Sequence, residues 1–235
     1  MLTATIMQPA YLPWLGYFDR INQSDVFVLL DDVEIDRNSK TKFANRNKIR
    51  TPTGWTWLTV PIKTKGQRGQ LRLDRIEIDN ESSWARKHWT SIQHNYAKAP
   101  YFSDYAEQLE DLFGHRWSLL TQLTDAFFAL FYQSLALRAQ VVRSSELTHS
   151  ETKSDLILEI SQLVGADTYL SGPFGRNYLD LNAFTRAGVE VKFHDYEHPV
   201  YAQIGEGFES HLSVLDLLLN HGPKSLKILA GDRCV

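Results

Sequence analysis

The sequence predicts an α/β fold, a Rossmann-like, largely parallel sheet flanked by helices, with an inserted helical block. Three observations predict it. Short Val- and Leu-rich runs alternate with helix-period stretches at both ends of the chain, the order that builds parallel βαβ units. The first such unit is complete by residue 31. Between about residues 81 and 138 the period is helical throughout. With 235 residues, 43% hydrophobic and 23% charged, the chain reads as a single α/β domain over 1–235, with the helical insertion at about 81–138.

The elements follow in order. Residues 3–8 read as a buried strand. Pro13 suits the first position of a helix, where its missing N–H is no loss, and that helix runs to about Asn22. Residues 25–31 are apolar between polar flanks and read as a second buried strand. Residues 33–54 show no period and read as a long loop. Residues 55–62 form a strand, 63–72 a basic loop, and 75–79 a short alternating strand. In the helical block, Trp84, His88, Ile92 and Tyr96 recur every fourth residue. Two more helices follow, after Pro100 and after Trp117. Strands at 140–144, 168–170 and 189–193 then alternate with helices at 153–163 and 179–187. Gly165 and Gly188 stand where C-terminal caps belong. Two short helices, 214–220 and 224–229, end the chain.

Composition narrows the function. A net charge of -3 and a pI near 6.2 argue against a nucleic-acid binder. One cysteine, Cys234, allows no intrachain disulfide and points to a reducing compartment. The N-terminus lacks the pattern of a signal peptide, and residues 127–137 are too short to span a bilayer. A cytoplasmic enzyme or binding protein acting on small molecules is the expectation. No P-loop, G-x-G-x-x-G, G-x-S-x-G or H-E-x-x-H motif is present. The residues name no cofactor and show no metal-ligand spacing.

In an open parallel sheet, ligands bind at the carboxyl ends of the strands. Those ends carry Gln8 and Tyr11, then Asp31 and Asp32, and later Ser171 and Gly172. The Gln8 amide both donates and accepts, as a sugar hydroxyl or acyl group requires. Asp32 can orient an amine or hold a magnesium ion. The basic segment holds Arg37, Lys40, Lys42, Arg46, Lys48 and Arg50 with Asn45 and Asn47 between them, and Lys63 follows the next strand. In an acidic chain that concentration points at an anion such as a diphosphate. Gln8, Tyr11, Asp32, Arg46, Asn47 and Lys63 are expected to face one pocket. His88 lies on an apolar stripe and reads as a hydrogen-bonded core histidine.

The run Gln8-Pro9-Ala10-Tyr11-Leu12-Pro13-Trp14-Leu15-Gly16-Tyr17-Phe18 resembles the opening signature of the WbqC-like protein family. The resemblance continues through Asp25 to Val33, Asn45-Arg46-Asn47, Trp57-Leu58-Thr59-Val60-Pro61, Asp167 to Gly172, His198-Pro199-Val200-Tyr201 and Leu212 to Asp216. It implies a role in bacterial O-antigen or other surface-polysaccharide biosynthesis. The implied reaction is acyl transfer, with glycyl as the acyl group, to an amino sugar on a nucleotide or lipid diphosphate. His198, inside a matching loop segment, is then the candidate general base beside Asp32. Two other readings stand beside it: an ATP-dependent ligase or nucleotidyltransferase relative, from the strand–turn–helix opening, and a non-catalytic sugar-binding or assembly protein.

Overall fold

The computed structural model describes residues 1–34, 43–63 and 71–231. The chain opens with strand β1 (Thr3–Met7), helix α1 (Leu15–Asn22) and strand β2 (Val26–Leu29). A hairpin of β3 (Arg46–Thr51) and β4 (Gly54–Thr59) precedes helices α2 (Trp84–Tyr96), α3 (Phe102–Gly114) and α4 (Leu120–Ser134). Strand β5 (Gln140–Arg143), helix α5 (Lys153–Leu163), strand β6 (Thr168–Ser171), helix α6 (Leu181–Arg186) and strand β7 (Glu190–Phe193) restore the alternation. Helices α7 (Val214–His221) and α8 (Ser225–Ala230) come last. The residues gather into two compact units, and the chain passes between them several times.

The first unit comprises residues 1–8, 16–32 and 137–197. Its sheet has five strands in the order β5-β2-β1-β6-β7, and every neighbouring pair is parallel. All four residues of β2 and all four of β6 are buried. This is why β2, Val-Phe-Val-Leu, reads as a continuous apolar run: a parallel strand covered on both faces has no solvent side to make polar. Strand β6 is equally buried but carries Thr168 and Ser171 at its ends. The strand order reverses between β1 and β6, so a topological switch point lies there. The Rossmann-like α/β reading holds. Gly165 closes α5 at φ 70°, as its position predicted. Helix α1 begins at Leu15, two residues beyond Pro13, whose carbonyl instead accepts the N–H of Val214.

The second unit comprises residues 9–15, 33–136 and 198–235. Its core includes Tyr11, Ile49, Tyr96, Leu109, Phe127, Phe131 and Leu215, each at most 1% exposed. The helical block appears as expected, with Trp84, His88, Ile92 and Tyr96 buried along α2. Two expectations need correction. Residues 46–51, read as part of a loop, form β3, which pairs antiparallel with β4 from Arg46↔Thr59 to Thr51↔Gly54. The expected strand at 75–79 is no ladder: Leu73–Arg75 form a 3-10 turn. Ile78 then makes an isolated bridge to Ile62, and Glu77 one to Leu119. Ile76 and Ile78 alternate because both are buried, and burial on one side leaves the same trace as a strand. Among the described residues no helix is long and apolar enough to cross a membrane. Arg37, Lys40, Lys42, Lys65, Arg68 and Cys234 lie outside the described residues.

Candidate functional site

Parallel strands bring their carboxyl ends to one edge, and in the first unit that edge collects most of the polar side chains that can do chemistry. Gln8 follows β1 and is exposed, and its carbonyl accepts the Tyr17 hydroxyl at 3.2 Å. Ser171 ends β6 and is 1% exposed, with Oγ donating to the Gly172 carbonyl at 3.1 Å. After β7, His194 Nε2 lies 2.6 Å from Asp19 Oδ2, both groups buried.

The densest group sits where β2 and β5 end side by side. Asp31 accepts from the Ser145 N–H at 3.1 Å, the Ser145 hydroxyl at 3.0 Å and Arg143 Nη1 at 3.0 Å. Burial by itself raises its pKa. The hydrogen bonds from the Ser145 backbone, Arg143 and the Ser145 and Ser144 hydroxyls outweigh burial and hold the carboxyl below its ordinary value. Asp31 is therefore an ionised anchor that ties the two strand ends together. Ser144 Oγ lies 2.5 Å from Asp32 Oδ1 and 3.1 Å from Asp31 Oδ1. Its one proton serves one carboxylate at a time.

Asp32 also reaches His149, with Oδ2 2.9 Å from Nε2. A carboxylate only accepts, so Nε2 carries the proton and Nδ1 is the basic nitrogen. Among the described residues no hydrogen bond reaches Nδ1, and the His149 side chain is 14% exposed. A carboxylate holding an imidazole through one nitrogen and leaving the other open is the arrangement of a general base. Arg143 and Ser144 were legible in principle, since they stand at the end of β5 where the strand-end rule applies. His149 lies beyond the 3-10 turn Ser144–Glu146, where that rule does not reach.

The remaining residues expected at a site belong to the second unit. Tyr11 is fully buried, its hydroxyl 2.9 Å from His88 Nδ1, and burial raises its pKa well above 10.0. Asn47 is 1% exposed and donates Nδ2 to the Leu12 carbonyl at 2.6 Å. Arg46 lies on the opposite face of β3, its guanidinium 4.4 Å over the Trp57 ring. Arg46 and Asn47 therefore do not face one pocket. Lys63 pairs with Glu77 at 2.7 Å on the surface, and that hydrogen bond raises its pKa. His198 Nδ1 donates to the Pro199 carbonyl at 2.9 Å, and Nε2 accepts the His211 N–H at 3.1 Å. Burial is the main cause of its lowered pKa. Both ring nitrogens thus hold backbone.

No solved structure matches the chain. The uncharacterised protein Rv1507c of Mycobacterium tuberculosis is 31% identical over 227 residues, covering 96% of each chain. The model of the WbqC-like protein family matches residues 8–228, and that span includes Gln8, Asp32, His149 and Ser171. On both findings, the chain belongs to the WbqC-like protein family.

Proposed function

We propose that this protein is an acyltransferase of bacterial surface-polysaccharide (O-antigen) assembly. It moves a glycyl group from an activated ester or thioester onto the amine of an amino sugar carried on a nucleotide or lipid diphosphate. The observation that carries this reading is the Asp32–His149 pair at the carboxyl edge of the sheet. Amide formation needs a base at neutral pH. In the proposed step the sugar nitrogen bonds to the acyl carbon while His149 Nδ1 takes a proton from that nitrogen. The bond from the acyl carbon to the leaving oxygen or sulfur then breaks, and the imidazolium returns the proton to the leaving group. Asp32 keeps Nε2–H in place and stabilises the imidazolium, a contribution of about 10²- to 10⁴-fold for a positioned base. Gln8, exposed on the same edge, is the proposed reader of sugar hydroxyls. The experiment is direct: incubate the protein with nucleotide-linked amino sugars and glycyl donors, and read product masses. A glycylated sugar that disappears with His149→Ala supports the reading.

The strand order favours a second reading, an ATP-dependent ligase, because a reversal between β1 and β6 is where open parallel sheets bind nucleotides. The same assay separates the two. Product formation that requires ATP and releases AMP or pyrophosphate belongs to the ligase.

A further inference from the structure

The crevice where the strand order reverses is filled by an arginine. Arg20 lies in the last turn of α1. Its Nε donates to Met7 Sδ at 3.0 Å, and Met7 is the last residue of β1. Its Nη1 occupies the space in which a side chain at Gly172 would begin: a Cβ there would come within 2.4 Å of it. Gly172 directly follows β6 and has φ -68° and ψ 165°, an extended conformation open to any residue. The glycine is thus explained by the arginine and not by the backbone. Between them, Met7 and Gly172 hold the guanidinium at the carboxyl ends of the two switch-point strands.

What surrounds this cation is neutral. The hydroxyl-bearing rings of Tyr17, Tyr169 and Tyr178 lie near it. Among the described residues no carboxylate pairs with it. The neighbouring Asp19 is committed to His194 at 2.6 Å and to Gln23 at 2.7 Å. Arg20 is half-buried, and desolvation is the main cause of its lowered pKa. A thioether is a weak acceptor and phenols carry no charge, so neither offsets the desolvation of a guanidinium. A methionine or leucine would fill the same volume without that penalty.

We propose that Arg20 is the oxyanion-binding residue of a ligand site in the β1/β6 crevice. One guanidinium among neutral hydroxyls matches a singly charged oxyanion with two oxygens to share, a P–O⁻ group of a nucleoside diphosphate or a carboxylate. The ligand supplies the charge that the protein withholds. Gly172 is kept bare so that the guanidinium reaches the strand ends. This site does not depend on the transfer reaction proposed above: oxyanion binding without a transfer product leaves it standing and removes the transferase reading.

The test is thermal unfolding of the full chain at constant ionic strength, titrated separately with UDP, inorganic phosphate and acetate. The midpoint of the wild-type protein should rise saturably with one class. A response to UDP and not acetate identifies the diphosphate, and the reverse identifies the carboxylate. Arg20→Met should weaken that response by roughly 10- to 100-fold, as expected for losing hydrogen bonds to a charged group. Its ligand-free midpoint should be unchanged or higher, since an unpaired cation has been removed. Gly172→Ala, which sets a methyl against the guanidinium, should weaken the response as well. The site is overturned if none of the three anions raises the wild-type midpoint. It is also overturned if Arg20→Met responds like wild type, whatever its ligand-free midpoint. Should Arg20→Met not fold, Gly172→Ala decides, and undiminished affinity in that variant overturns the proposal.

Discussion

His88 is buried against aromatic rings, and burial, opposed by a hydrogen bond to the Thr59 backbone, lowers its pKa to about 4. In the unfolded chain it titrates near 6.5. Between those values the unfolded chain holds a proton that the folded chain lacks. The His88 contribution is therefore complete above the unfolded value and is lost as pH falls toward the folded one. From about pH 7 to about pH 5 the loss from His88 alone is about 2 kcal/mol. Denaturant unfolding at both pH values checks it: His88→Gln should show a flatter pH dependence, and an undiminished acid loss in that variant assigns the effect elsewhere. Asn47 offers a second test at this scale. Its amide satisfies the Leu12 carbonyl inside the core, and Leu12 itself sits at φ 47°, a conformation a leucine rarely adopts. Asn47→Ala should destabilise the protein by about 1–3 kcal/mol, the range for orphaning a buried polar group. An Asn47→Ala variant with native stability would return this residue to the ligand contacts that its polarity first implied.

At the scale of the element, the β3–β4 hairpin shows why one strand was not legible in the sequence while its partner was. A half-buried strand is usually recognised by apolar residues on alternate positions. In β3 the inner position 47 is an asparagine. The outward Arg46 and Lys48 lie over Trp57 and Trp55, at 4.4 Å and 4.0 Å from the ring centroids. Cation–π stacking and buried hydrogen bonds take the place of apolar contact, so the strand reads as a basic loop. Arg50 completes the disguise: it is 2% exposed, bonded to the carbonyls of Ile204, Gly54 and Glu206 and 3.6 Å from Glu209. The hairpin is tied to the helices by Tyr96. Its hydroxyl accepts the Arg50 N–H at 2.8 Å and donates to Asp216 Oδ1 at 2.9 Å. Tyr96→Phe leaves both groups short of a partner in the core. It should lower stability by about 1–3 kcal/mol in denaturant unfolding. A neutral result would show that the contact adds nothing to holding β3 on α2 and α7.

Across the whole molecule, what was legible and what was not divides along a physical line. The central strands β1 and β2 are buried almost throughout, and burial writes itself into sequence as apolar runs. Strands β5 and β7, at the sheet edges and partly exposed, were recognisable from short β-rich or alternating stretches between helices. Helices α2 to α4 were recognisable from their period. The edge that carries Gln8, Asp32 and Ser171 followed from the parallel reading, because strand direction alone sends those residues to one side. The pairing of Asp32 with His149 was not legible, since the two are 117 residues apart and meet only because β2 and β5 are neighbours in the sheet. Nor was the crevice at Arg20, which depends on β1 and β6 being adjacent. Both assignments require strand order, and no local pattern encodes strand order. The claim that depends most on it is that Asp32 and His149 act together as the base of an acyl transfer. Product masses from amino-sugar acceptors and glycyl donors, compared for wild type, His149→Ala, Asp32→Asn and the double variant, test it most directly. The account predicts a glycylated product with wild type and a loss of rate of about 10²- to 10⁴-fold in each single variant. The double variant should be no worse than the poorer single one, as for residues that act as a unit. Full glycyl transfer by His149→Ala, or losses that multiply in the double variant, would contradict it.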